Sequence, residues 1–99
     1  MRDDLYASKA RPVVIVQSDE IIGFDSVVLC LMTTFESSGM PTRVRVEPSA
    51  ENGLERTSFM MTDKIASASR GMLGKRIGIL ERDRMDEVTE KLALVLGLS

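Results

Sequence analysis

The sequence predicts a small, β-rich single domain, an antiparallel β-barrel closed by one C-terminal helix (α+β by element count). Several short runs are rich in β-branched residues and are separated by polar or turn-forming residues, which is typical of strands. The hydrophobic period changes to a helical one only near the end of the sequence. A chain of 99 residues has the size of one domain, so we expect residues 1–99 to form a single unit.

Six strands are predicted from these runs. The segment 12–17 is an apolar, β-branched run bounded by a proline and by polar residues, which is typical of a buried strand. The segment 42–47 alternates strictly, with Val44 and Val46 on one face and arginines on the other, and this predicts a half-exposed antiparallel strand. In chain order, the predicted strands are residues 3–6, 12–17, 26–33, 42–47, 57–62 and 75–80.

A helix is predicted from Arg84 onward. Asp83 is placed to act as its N-cap, and Gly97 is placed to end it. Charged residues fill the face opposite an apolar stripe. The stripe consists of Met85, Val88, Leu92, Val95 and Leu96.

The composition excludes several kinds of chemistry. The chain has no histidine and a single cysteine, so it cannot assemble a Cys/His zinc site, a Ser-His-Asp triad or a two-histidine ribonuclease centre. Cys30 lies in an apolar run, and we expect a buried, inert thiol. We expect neither a metal nor a cofactor.

Charge and cysteine usage also limit the setting and the partners. A formal charge of −2 argues against a module that coats duplex nucleic acid, so any nucleic-acid site must be local. One cysteine fits the reducing cytoplasm, and no run approaches the roughly 20 apolar residues of a membrane span. We therefore expect a cytoplasmic protein without a membrane partner.

Two further features have ordinary explanations. The segment from Gly71 to Lys75 has the wrong glycine spacing for a phosphate-binding loop, and Arg76 follows where Ser or Thr is required. Met60 and Met61 point to opposite faces of a strand, so we expect one of them near a surface or an interface. Because a chain this short has a modest core, a second subunit would add useful burial.

Sequence blocks in a fixed order carry a family resemblance. An Arg-Pro pair opens one apolar strand, and a Thr-Thr pair ends the next. The blocks are residues 11–17, 31–34, 40–42, 52–58 and 62–65. Together they make the chain similar to the MazF/PemK (Kid) toxins of bacterial toxin–antitoxin systems, from Lys9 to Leu98. The resemblance implies an SH3-like barrel homodimer that cuts single-stranded RNA at short sequence motifs without a metal, and a MazE-like antitoxin.

The resemblance also assigns roles to residues. The family's catalytic arginine falls on Arg11 and its catalytic threonine on Thr33. The RNA-binding positions that the resemblance implies are Gln17, Thr34, Met40, Ser58, Asp63 and Lys64. Taken alone, Arg11 is a surface arginine, such hydroxyls most often bond local backbone groups, and Asp63 with Lys64 is a solvated turn pair.

Metal-free cleavage fits the two catalytic candidates. The RNA's own 2′-OH can attack phosphorus, which leaves a 2′,3′-cyclic phosphate and a 5′-OH, so the protein must stabilise charge on the phosphate oxygens and handle two protons. Arg11 can donate two parallel hydrogen bonds to the phosphate and Thr33 a third. Because arginine stays protonated in water, it is a poor base, and the base is unassigned.

The first loop departs from the family pattern. Relatives have a longer loop before the Arg-Pro pair, with RNA contacts and an acidic residue, whereas only residues 7–10 intervene here. Two explanations stay open: a true deletion, which would weaken the catalytic assignment, or a disordered stretch that the sequence omits.

The resemblance also implies an acidic antitoxin tail in the RNA groove. The local positive patch expected to bind it consists of Arg11, Arg43, Arg45 and Lys64.

Two alternatives to a nuclease remain. A CcdB-like toxin that binds gyrase shares this fold, and fold alone cannot separate the two. The strand that opens at Arg11 and the strand end at Thr33 favour the nuclease. A non-catalytic dimeric barrel is favoured if the short first loop is genuine.

Overall fold

A computed structural model describes residues 4–8 and 11–98. Its framework is a six-stranded antiparallel sheet that curls into a half-barrel, with strand order β4-β5-β3-β2-β1-β6. A short 3-10 turn, Arg70–Met72, joins β5 to β6. The elements are β1 (Asp4–Ser8), β2 (Arg11–Ile15), β3 (Ser26–Thr33), β4 (Arg43–Val46), β5 (Ser58–Ser69), β6 (Arg76–Ile79) and α1 (Arg82–Val95). This confirms the predicted β-rich fold with one C-terminal helix.

The predicted strands are all present, but β5 is longer than its sequence suggested. The prediction ended at Thr62, whereas the strand continues to Ser69. Apart from Ile65, residues 63–69 carry polar or small side chains, so they largely lack the composition of a strand. They are held in the sheet by β3, where Val27 pairs with Ala68 and Leu29 with Ala66.

A bulge bends β5 midway. Cys30 pairs with Ile65 and Met32 with Met60. The interval from Cys30 to Met32 on β3 is therefore opposite a longer interval on β5. Extra residues in one strand kink it and increase its twist. Residues 61–64, which include the pair Asp63 and Lys64, lie at this bend.

The core has two parts on opposite faces of the sheet. One cluster joins the helix side chains Met85, Val88 and Leu92 to the inner faces of the strands. The second is smaller and is built on residues of β2 and β3. The sequence suggested that Met60 or Met61 lies near a surface or an interface. A surface position was wrong, because the two residues are 0% and 7% exposed. Met60 belongs to the cluster that includes the helix side chains.

The ends of α1 confirm one prediction and correct another. The helix ends as expected, because Gly97 adopts φ +71° and the N–H groups of Gly97 and Leu98 donate to Leu94 and Ala93 carbonyls, which is a Schellman motif. Asp83 is not the N-cap. Glu81 holds that position, and its side chain makes no capping bond because it accepts hydrogen bonds from another loop.

No helix within the described residues combines the length and the apolar character that crossing a membrane requires. Residues 9 and 10 of the short first loop lie outside the described part of the chain. The strands that flank them pair as a hairpin as far as Ser8 and Arg11.

Candidate functional site

A cavity of about 530 Å³ lies at the start of β2 and the end of β3. The loop before β5 and a residue of β6 complete its wall. Its lining residues are Ala7, Arg11, Pro12, Thr34, Gly53, Leu54, Glu55, Arg56, Ser58 and Ile77. Three of the residues predicted from the sequence, Arg11, Thr34 and Ser58, therefore meet at one place.

Arg11 is the first residue of β2, which places it at the cavity, and its side chain is exposed. Among the described residues it has no ion-pair partner. The β2–β3 register pairs Val13 with Leu31, and continuing it by two residues places Thr33 opposite Arg11. Residues directly opposite in an antiparallel pair share a face, with Cβ atoms about 4.5–5.5 Å apart.

The two threonines at the end of β3 differ in environment. Thr33 is half-buried, and its Oγ1 accepts a hydrogen bond from the Phe35 N–H at 3.1 Å. It is not among the residues that line the cavity, whereas Thr34 is exposed and lines it. No hydrogen bond donated by the Thr33 hydroxyl is present among the described residues, so it can donate to a ligand.

Gln17, Met40 and Lys64 do not line this cavity. The side-chain amide of Gln17 closes the turn after β2, since its Nε2 donates to the Ile21 carbonyl and its Oε1 accepts from the Val28 N–H, both at 3.1 Å. Met40 is exposed on the loop before β4. Lys64 is exposed at the bend of β5.

Asp63 belongs to a separate polar cluster. Its Oδ1 accepts from Thr42 Oγ1 at 3.0 Å and lies 3.5 Å from Arg43 Nε. Burial would raise the pKa of Asp63, but the Thr42 hydrogen bond, its own backbone bond and the charges of Arg43 and Lys64 together hold that pKa below its usual value. Asp63 is therefore ionised near neutral pH and is already engaged in bonds.

Two arginines of the expected positive patch are not free, and that part of the prediction was wrong. The side chain of Arg43 is 9% exposed and pairs with Asp63. Arg45 lies 2.7 Å from a Glu47 oxygen, with Glu36 at 3.8 Å. The alternation along β4 placed Glu47 on the face of the two arginines, but it gave no sign of Asp63 and Glu36, which come from other segments of the chain.

The sequence analysis missed Glu55 and Arg56, which line the cavity beside Arg11. Neither forms an ion pair within residues 4–8 and 11–98. Both lie in the block 52–58 that helped to carry the family resemblance. That block reads as a polar turn, and nothing local to it shows that it faces Arg11.

Metal and thiol chemistry have little support in the described residues. No group of three or more His, Cys, Asp and Glu side chains is arranged there to hold a metal ion. Cys30 is fully buried as expected. Burial, with a smaller contribution from the charge of Asp63, raises the pKa of its thiol to about 12, so it is not a nucleophile at neutral pH.

A family model for PemK-like, MazF-like toxins of type II toxin–antitoxin systems matches residues 4–96. The chain belongs to this family. A MazF relative from Mycolicibacterium smegmatis, named "Probable endoribonuclease MazF", is 33% identical over 94 residues, which are 95% of this chain and 86% of the relative.

Solved structures of MazF-type toxins share the fold. A mycobacterial endoribonuclease in complex with its cognate antitoxin superposes with a TM-score of 0.87 at 27% identity, covering 100% of this chain and 96% of that one. The toxin MazF-mt6 of Mycobacterium tuberculosis gives 0.83 at 28% identity, covering 99% of both chains. The family assignment made from the sequence blocks is confirmed.

Proposed function

We propose that this chain is the toxin of a toxin–antitoxin pair and acts as an endoribonuclease that cleaves single-stranded RNA at short sequence motifs. The observation that carries the proposal is the near full-length similarity to a protein named endoribonuclease MazF. The cavity at the start of β2 supports it, because Arg11, Arg56 and the Thr34 hydroxyl converge there. Guanidinium groups and hydroxyls are suited to binding a phosphate.

Cleavage would use the RNA's own 2′-OH as the nucleophile. Its oxygen attacks phosphorus, the bond to the 5′ oxygen breaks, and that oxygen takes a proton from water, so the products carry a 2′,3′-cyclic phosphate and a 5′-OH. Arg11 would stabilise the charge that develops on the phosphate oxygens. Thr33, opposite Arg11 by register, would donate a further hydrogen bond, and Arg56 would add a second positive charge at the cavity.

The reaction also needs a group that removes the proton from the 2′-OH. Glu55 is the one carboxylate among the residues that line the cavity, and the chain has no histidine. Arginine cannot take this role because it remains protonated. We therefore assign proton transfer at the 2′-OH to Glu55.

The partners follow from the same family. We infer that the toxin is a homodimer and that a MazE-like antitoxin blocks RNA binding by occupying the same groove. An acidic tail would meet Arg11, Arg56 and Lys64, since Arg43 and Arg45 are paired with carboxylates. Ordering such a tail would cost entropy, offset by contacts with these charges and by apolar burial.

The test is to mix the purified protein with end-labelled, mixed-sequence single-stranded RNA in excess EDTA. We expect cleavage at a small set of sites, with cyclic phosphate and 5′-OH ends. A strict requirement for magnesium would contradict the proposed chemistry. Intact RNA together with binding to gyrase would instead support a CcdB-like toxin, and intact RNA without gyrase binding would support a non-catalytic dimeric barrel.

A further inference from the structure

The side chain of Asn52 is completely buried and uses both ends of its amide. It is 0% exposed. Its Oδ1 accepts hydrogen bonds from the N–H groups of Ser49 and Leu54 at 3.1 and 2.9 Å. Its Nδ2 donates to the Glu47 carbonyl at 2.8 Å and to the two carboxylate oxygens of Glu81 at 3.1 and 3.2 Å. Asn52 therefore connects the loop after β4 to the first residue before α1.

Glu81 is the anchor of this connection. It lies between β6 and α1, and its carboxylate accepts hydrogen bonds from the Ser49 hydroxyl and from Asn52. Burial would raise the pKa of Glu81, but these two bonds, with its own backbone bond and the charge of Arg84, hold that pKa below its usual value. The carboxylate is thus charged at neutral pH and forms charge-assisted hydrogen bonds, which are stronger than neutral ones.

The backbone of this loop is also hydrogen-bonded to β6, close to Asn52 and Glu81. The Glu51 carbonyl accepts from the Ile79 N–H at 3.0 Å, and the Gly53 N–H donates to the Ser49 carbonyl at 2.9 Å. The residues that follow directly, from Gly53 to Arg56, form one wall of the cavity that holds Arg11. The buried amide of Asn52 therefore fixes the segment that places the Glu55 and Arg56 side chains at the cavity.

We propose that Asn52 and Glu81 are positioning residues for RNA cleavage, because together they set the place of the cavity wall formed by residues 53–56. This inference rests on the proposed ribonuclease function. Neither side chain lines the cavity, so their effect on the reaction passes through Glu55 and Arg56. Displacing a reacting or binding group by about 1 Å can cost as much as a hundredfold in rate.

The experiment compares Glu81→Ala with Glu81→Gln in the cleavage of a mixed-sequence single-stranded RNA. We expect Glu81→Ala to lower kcat at least about tenfold, since the wall loses its anchor. A glutamine side chain keeps an oxygen for Asn52 and offers its NH₂ to the Ser49 oxygen, so Glu81→Gln should stay within about threefold of the wild type. Asn52→Asp should resemble Glu81→Ala, because the new carboxylate would face the carboxylate of Glu81.

The matched control is Val88→Ala, which removes buried volume from the core cluster that also contains Leu54 but leaves the hydrogen bonds of Asn52 and Glu81 in place. It should lower the unfolding temperature but leave cleavage unchanged at a temperature where it is fully folded. Hydrogen exchange of the Gly53 and Leu54 amides adds a readout that needs no RNA. Glu81→Ala should speed that exchange well beyond Val88→Ala at matched stability.

Three results would overturn the inference. They are near wild-type cleavage by folded Glu81→Ala, an equal loss of cleavage by Val88→Ala at matched stability, or unchanged exchange at Gly53 and Leu54. A failure of the proposed function looks different. In that case the wild type itself leaves RNA intact, and the exchange measurement still decides whether Glu81 holds the loop.

Discussion

Arg11 combines three properties that suit a residue for binding phosphate. They are a permanent charge, an exposed guanidinium and a backbone that is held in place. Pro12 restrains the backbone that follows it, and the pairing of β1 with β2 fixes the strand that it opens. Arg56 is the second arginine that lines the same cavity. The consequences can be measured one residue at a time.

Replacing Arg11 tests the main electrostatic contribution. We expect Arg11→Ala to fold normally, because the side chain is exposed, and to lower cleavage at least about a hundredfold, as when one oxyanion donor is lost. Arg11→Lys should also fail, since an ammonium cannot make the two parallel bonds of a guanidinium. Single-turnover cleavage together with circular dichroism measures both effects. Near-native cleavage by Arg11→Ala would remove this residue from the mechanism.

The two neighbouring threonines offer an internal comparison. The family resemblance assigns catalysis to Thr33, and the β2–β3 register places it opposite Arg11, whereas Thr34 lines the cavity. We expect Thr33→Ala to lower kcat at least about a hundredfold and Thr34→Ala to have a milder effect, mainly on KM. Measuring kcat and KM for both variants decides the assignment. The reverse order of the two effects would transfer the catalytic role to Thr34.

Glu55 is tested by replacing its carboxylate with a neutral amide of the same shape. We expect Glu55→Gln to lower kcat about a hundredfold or more, the range for loss of a general base. Single-turnover cleavage by the wild type and by the variant measures this loss. Glu51→Gln is the matched control, because Glu51 is an exposed glutamate of the same loop that does not line the cavity. A kcat close to the wild-type value in Glu55→Gln would exclude Glu55 as the base.

At the scale of elements, the loop before β5 depends on close backbone packing against β6. Gly53 adopts φ +70°, and a Cβ built there would lie 2.0 Å from the Ile77 carbonyl oxygen. Gly78 on β6 has the same need, since its Cβ would lie 2.4 Å from the Asn52 backbone. A side chain at either position must push the loop away from β6, and the cavity wall moves with it.

Gly53→Ala should therefore destabilise the fold and reshape the site. We expect a loss of about 2 kcal/mol or more in the free energy of unfolding, because a left-handed backbone and a steric clash act together. Denaturant unfolding measures this loss. Gly39→Ala is the control, since its Cβ would meet nothing within 4 Å, and it should change the free energy by no more than about 0.5 kcal/mol. Equal stability of the two variants would contradict the proposed packing.

At the scale of the whole molecule, exposed apolar side chains support the proposed homodimer. Ile22, Phe24, Phe35 and Leu98 are each more than 60% exposed. Large apolar surface left in water is typical of interaction sites. An isologous dimer would bury equivalent surfaces from both copies and would bring two cavities into one assembly.

The dimer and the shared groove are tested together in solution. Light scattering should give the mass of two chains at micromolar concentration, because a domain of this size gains stability from added burial. An acidic, MazE-like peptide should weaken RNA binding in direct competition. A monomer would contradict the dimer, and simultaneous binding of peptide and RNA without mutual weakening would contradict the shared groove.

The sequence by itself determined the elements and the family. Local signals suffice for these. β-branched runs predicted β2 and β3, strict alternation predicted β4, and helical spacing predicted α1. Ordered sequence blocks such as Arg11 to Gln17 identified the family. Local signals failed where long-range pairing overrides composition. Residues 63–69 form strand because β3 pairs with them.

Tertiary structure decided the site. Glu55 and Arg56 lie far from Arg11 in sequence and share its cavity because the loop before β5 packs against β6, which pairs with β1 next to β2. The contact of this loop with the segment after β6 also brings the Glu81 carboxylate to Asn52 instead of the helix N-terminus. The pairing of β4 with β5 brings Arg43 to Asp63. Charge partners and cavity walls are set by which distant segments touch, and no local pattern of residues encodes that contact.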